Sequence, residues 1–213
     1  MNKKITGRGE GVVNVLKSDS VEKLGEDYLE FGIDTALESG VLKDIPFVSS
    51  VVGLFNVTGT IRDQMLATKI IKFLSEISEI SIDERTEMID KLNENDKFAG
   101  KLGATLIEIL DRMESEVKPE LSARCFVAYA KGEISFTELR HMLHALERVP
   151  TFELAALEEF SKADINESLK MEEPTLLAFV NAGIGQNNGG LDGGAILPTK
   201  LCKLFVSSGA VKA

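Results

Sequence analysis

The chain has 213 residues, 44% of them hydrophobic and 27% charged, which supplies a packed core and excludes a disordered chain. Its formal net charge of −10 sets the overall field against phosphate backbones, and with no Trp and two Tyr it lacks the aromatic surface on which single-stranded bases stack. Two cysteines and two histidines rule out a disulfide framework and leave little for a metal cage or histidine-based catalysis.

Residues 1–19 read as a basic flexible arm, with Lys3, Lys4, Arg8 and Lys17 against Glu10. No apolar h-region follows Met1, because Arg8, Glu10 and the glycines interrupt it, so the chain is expected in the cytoplasm with Cys125 and Cys202 reduced. Asp19 or Ser20 opens a helix whose stripe is Val21, Leu24, Tyr28 and Phe31, with Glu22 three residues after Asp19 as in a capping box, and Gly40 stops it.

The central stretch begins at Asp44. Pro46 fits the first helical turn, and from Ile45 to Val57 there is no charge. A run of about 13 apolar residues falls short of the roughly 20 that cross a bilayer, so the expectation is a helix wrapped by the protein's own helices. The rival reading is a membrane-acting segment released by a trigger. Beyond Thr60 the stripe is Leu66, Ile70, Phe73 and Ile77, with Arg62, Asp63, Lys69, Lys72, Glu76 and Glu79 elsewhere on the wheel.

Capping-box patterns at Ser81–Glu84 and Ser135–Glu138 predict two helix starts. Between them, Phe98, Leu102, Leu106, Ile109 and Met113 predict one helix, and Leu121, Cys125 and Ala128 predict another that stops at Gly132. Phe136, Leu139, Leu143 and Leu146 form the stripe of the helix ending before Pro150. Thr151 is expected to cap a further helix containing Phe152, Ala155, Ala156 and Phe160. After a polar stretch, Pro174 starts a short helix, a glycine-dense loop runs from Gly183 to Gly194, and Pro198-Thr199 opens the last helix.

No chemical constellation survives a spacing test. Lys131 to Glu138 resembles the second half of an EF-hand loop, but Val127, Tyr129 and Lys131 stand where hard oxygen ligands are needed. Asp164, Asn166 and Ser168 give acceptors at one, three and five, with Leu169 in place of the turn glycine. Glu138-x-x-His141 has the spacing of a di-iron bundle motif without a second pair, and His141 with His144 reads as a surface pair. The glycine-dense loop lacks the Gly-Lys-Ser/Thr ending of a phosphate loop. Asn187, Asn188 and Asp192 in that loop, with Lys200 and Lys203 beyond it, are the candidate partner-binding residues.

The segment from Ala182 through Phe205 resembles the end of winged-helix domains, through Ala182-Gly183-Ile184 and Leu197-Pro198-Thr199. Lys43-Asp44-Ile45-Pro46 followed by Arg62-Asp63 resembles small helical proteins of bacterial and prophage genomes. That resemblance implies a bacterial or phage-related origin and a role in defence, and it supplies no catalytic residues. The expected fold is mainly α, a single multi-helix domain of seven or eight helices with a small C-terminal β-hairpin of winged-helix character. Its parts are an arm (1–19), a helical core (20–162) and a winged-like subdomain (163–213). The expected function is non-enzymatic: an interaction or regulatory protein whose partner is another protein or a second copy, with no cofactor, metal or small-molecule substrate. Membrane action through 45–57 and DNA binding through the C-terminal region are the alternatives.

Overall fold

The computed structural model describes residues 2–22, 51, 61–94, 101–115, 117–189 and 194–210, with 2–6 as backbone alone. The fold is mainly helical, with a two-stranded antiparallel sheet near the C-terminus. Two compact units, 1–123 and 124–213, divide the chain inside the helical core expected over 20–162. Of Ile45–Val57 only Val51 lies within the described residues, and it is fully buried. The helix expected from Asp19 to Gly40 lies outside them beyond Glu22.

In the first unit, α1 (Asn2–Leu16), α2 (Ile61–Ile77) and α3 (Ile82–Asn93) all pack on α4 (Leu102–Arg112). The residues read as a flexible arm thus carry a docked helix. α1 and α4 meet at Gly9 and Gly103, where a β-carbon on Gly9 would lie 2.6 Å from the Ala104 nitrogen. The stripe of α4 is Leu102, Leu106 and Leu110 with Gly103 and Ile107, one position round from the expected Ile109, which is only half-buried. Phe98, expected at its start, lies outside the described residues.

Cations that the helical wheel leaves in solvent are inside this unit: Lys69, Lys72, Arg85 and Lys118 are all buried. Lys69 is 7% exposed, and its Nζ donates to the main-chain oxygens of Met113 and, at 3.5 Å, Asp111. It therefore sits at the C-terminus of α4, where carbonyls lack helical partners and the helix dipole favours positive charge. Arg85 is fully buried and serves the end of α1 in the same way. Its guanidinium donates to the carbonyls of Leu16 at 2.9 Å, Ser18 at 3.1 Å and Ile80 at 2.6 Å. Burial lowers its pKa, and Glu22 and Asp19 work against that shift. Glu22 does not close a capping box on Asp19. Its carboxylate lies 3.6 Å from Arg85 and accepts from the Ile82 amide at 3.1 Å, at the start of α3.

Helix α5 (Val117–Ala130) runs through the boundary at 123/124. Leu121, Cys125 and Ala128 are buried as the spacing predicts, and so are Ala123, Phe126 and Val127. Gly132, at φ +74°, ends it. The Glu133 amide reaches back to the Ala128 carbonyl at 2.9 Å and the Gly132 amide to Tyr129 at 3.0 Å, a left-handed helix stop.

The second unit continues with α6 (Phe136–Arg148), a 3-10 helix (Thr151–Ala156), α7 (Leu157–Lys162), α8 (Ile165–Ser168), α9 (Glu173–Asn181), β1 (Gly185–Asn187), β2 (Ile196–Pro198) and α10 (Lys200–Ser207). Two of the three predicted capping boxes form, at Ser81–Glu84 and Ser135–Glu138, and each contributes about 1 kcal/mol. Thr151 does not cap an α-helix. The chain winds as a 3-10 helix after Pro150, which buries Leu154 while Phe152 and Ala155 turn to solvent, and the α-helix that follows buries Leu157 and Phe160. The core brings the Phe160 and Phe179 rings to 4.8 Å between centroids, with Cys202 and Phe205 buried on α10, which packs on α7 and α6.

Candidate functional site

The C-terminal hairpin pairs Gly185 with Pro198, Gln186 with Leu197 and Asn187 with Ile196. Its position is fixed from both ends. The Thr199 amide donates to the Ile184 carbonyl at 2.9 Å, its hydroxyl reaches the same oxygen at 3.1 Å, and that hydroxyl oxygen accepts from the Cys202 amide to cap α10. Ser168, at the end of α8, donates its hydroxyl to the Ile196 carbonyl.

The two asparagines singled out in the sequence both lie here, and both shape the turn. Asn187 Oδ1 accepts from the Gly189 amide and Asn188 Oδ1 from the Ala195 amide, each at 2.8 Å. Their side-chain oxygens are thus committed to the loop backbone. Asp192 lies outside the described residues. Lys200 and Lys203 are exposed on the first turns of α10.

The rejected metal readings have structural explanations. Asp164 is an N-cap: its carboxylate accepts from the Glu167 amide at 2.9 Å while the Glu167 carboxylate accepts from the Asp164 amide at 2.9 Å. Glu138 is likewise held on the Ser135 amide at 2.6 Å, and that bond, with the one to the Ser135 side chain, lowers its pKa. His141 and His144 are exposed. No group of three or more His, Cys, Asp or Glu placed to hold a metal occurs among the described residues. No helix among them is long and apolar enough to cross a membrane.

What the sequence reading missed is a set of solvent-facing apolar side chains. In the second unit Phe152 is 81% exposed and Leu169 66%, and Ile165, Leu177 and Val180 are exposed as well. The second unit also has an open groove of about 380 Å³, lined by Ala156 of the 3-10 helix, Glu159, Lys170, Met171 and Glu172 among others.

No family model, curated protein or solved structure matches the chain.

Proposed function

We propose that this protein is a non-enzymatic interaction or regulatory protein of the bacterial cytoplasm, working within a phage-conflict system. The observation that carries the interaction reading is the crowding of exposed large apolar residues between Phe152 and Val180. Five of the eight large apolar residues exposed among the described residues fall in this stretch, and exposed apolar side chains that gather into a patch mark interaction surfaces. The bacterial and phage setting rests on the Lys43-Asp44-Ile45-Pro46 and Arg62-Asp63 pattern.

The partner is another protein or a second copy. The test compares the full chain with a Phe152→Ser, Leu177→Ser variant. Light scattering across a concentration series reads self-association, and quantitative co-purification from the source cell reads a hetero-partner. The reading expects one of the two signals in the wild type and its loss in the variant, with the helical circular dichroism of both unchanged. It fails if the variant retains every association, or if the pure chain shows a hydrolytic or transfer activity abolished by mutating one polar cluster.

A second reading, duplex DNA binding, is favoured by exposed Lys200 and Lys203 following the hairpin. The net charge of −10 opposes it. Absence of duplex binding at low salt disposes of it.

A further inference from the structure

The groove in the second unit joins a buried hydroxyl to unpaired carboxylates. Thr175, in the first turn of α9, lines it and is 8% exposed, and its hydroxyl has no hydrogen-bond partner among the described residues. A hydroxyl held that deep favours a ligand that reaches it. Glu159 and Glu172 line the groove as well. Both are exposed, and neither makes a hydrogen bond or ion pair through its side chain among the described residues; Glu172 precedes α9 without capping it. Ala156 and Met171, half-buried, add apolar surface. The turn between α8 and α9 is held in place, because the Lys170 and Met171 amides donate to the Glu167 and Ser168 carbonyls at 3.0 Å each.

The charge around the groove is one-sided. From Glu153 to Glu173 seven carboxylates stand against Lys162 and Lys170, so this stretch of 21 residues carries −5 of the chain's net −10. Lys162 is already paired with Glu158 at 2.6 Å. Of the groove's own lining, Lys170 opposes Glu159, Glu167 and Glu172, which leaves it net negative. Carboxylates and a hydroxyl beside apolar surface match a side chain with a cationic donor head on a methylene stem. Arginine fits best, since its planar fork serves two or three acceptors at once. A second copy of so acidic a chain is the poorer match.

We propose that this groove takes an arginine-bearing segment of a partner protein. Glu159 and Glu172 accept from the guanidinium, the Thr175 hydroxyl accepts a further hydrogen bond, and Ala156 and Met171 pack on the methylene stem. This rests on the interaction reading above and gives the partner its chemistry.

Fluorescence anisotropy of a short labelled peptide alternating arginine and leucine, titrated with the full chain, tests the groove. The same peptide with citrulline for arginine keeps the shape without the charge and should bind at least about ten-fold more weakly. Glu159→Gln with Glu172→Gln should weaken binding about ten-fold, and Asp83→Asn with Glu87→Gln, an equal change of charge on α3, by less than about two-fold. Thr175→Val should weaken binding about three-fold without lowering the melting temperature, because the hydroxyl has no internal bond to lose. The proposal is overturned if the two double variants weaken binding equally, which leaves only the general field of an acidic chain, or if the citrulline peptide binds as well. It is overturned too if the peptide-free chain self-associates through Glu159 and Glu172, which makes a second copy the occupant. Absence of peptide binding beside an association that still depends on Phe152 and Leu177 removes the groove and leaves the interaction reading standing.

Discussion

Gly9 of α1 and Gly103 of α4 stand backbone to backbone, so close that a β-carbon on Gly103 would lie 2.9 Å from the Gly9 α-carbon and nearer still to its carbonyl. Glycine is required here by the neighbour and not by its own dihedral angles. In an open helix interior, Gly→Ala stabilises by about 1 kcal/mol. Gly103→Ala should therefore reverse the usual sign, because the new methyl meets main chain that has no rotamer to yield, and should cost about 2 kcal/mol. Gly7→Ala on the same α1 should stabilise by up to about 1 kcal/mol, since nothing lies within reach of its β-carbon. Urea denaturation of the pair reads both signs at once.

Arg85 offers a second test. Three carbonyls from two stretches of chain converge on its guanidinium, and it is fully enclosed. A lysine keeps the charge but cannot reach three diverging acceptors with a planar fork. Arg85→Lys should lose about 2 kcal/mol, and Arg85→Met, which leaves all three oxygens without this donor, about 3 kcal/mol or more. A Met variant as stable as the wild type would remove the guanidinium as the clasp on the end of α1.

The parts of this fold legible in the sequence were those governed by local chemistry. Ser81 with Glu84, Ser135 with Glu138, Pro174 at a helix start and Gly132 at a helix end each act through residues within four positions, so spacing suffices to find them. Lys69 and Arg85 were not legible. On a helical wheel a cation belongs to the wet side, and only the arrival of distant carbonyls from Met113 and Leu16 makes burial favourable. The 3-10 turn after Pro150 was not legible for a related reason: over six residues the spacing does not separate a 3-10 helix from an α-helix. At the hairpin, the pattern located Asn187 and Asn188 but not the use of their oxygens on the Gly189 and Ala195 amides.

The start of α6 carries a pH dependence whose sign is fixed. The Ser135 amide and side chain hold Glu138 below the ordinary carboxylate range. A carboxylate with a depressed folded pKa stabilises the fold above its unfolded pKa and loses that contribution as pH falls through the folded value. Glu138→Gln keeps an acceptor for the Ser135 amide but removes the charge. The variant should be less stable than the wild type at pH 7, and the gap should close as pH falls below the ordinary carboxylate range. Thermal melts at a series of pH values read it, and a gap that widens with acid would refute the assignment.

Cys125 and Cys202 supply the last prediction. Both are buried, and burial raises each thiol to about 12, against a weak opposing pull from Lys203 on Cys202. Only the thiolate attacks a disulfide reagent, and at pH 8 a thiol with that pKa is ionised in roughly one molecule in ten thousand, before any steric barrier is counted. Neither cysteine should react in native buffer on the timescale of an exposed thiol. Both lie in the unit spanning 124–213, on α5 and α10, so labelling should rise with urea together with the loss of that unit's helical signal. Rapid stoichiometric labelling of either cysteine without denaturant would mean that the core around Phe160, Phe179 and Phe205 opens far more readily than its packing implies.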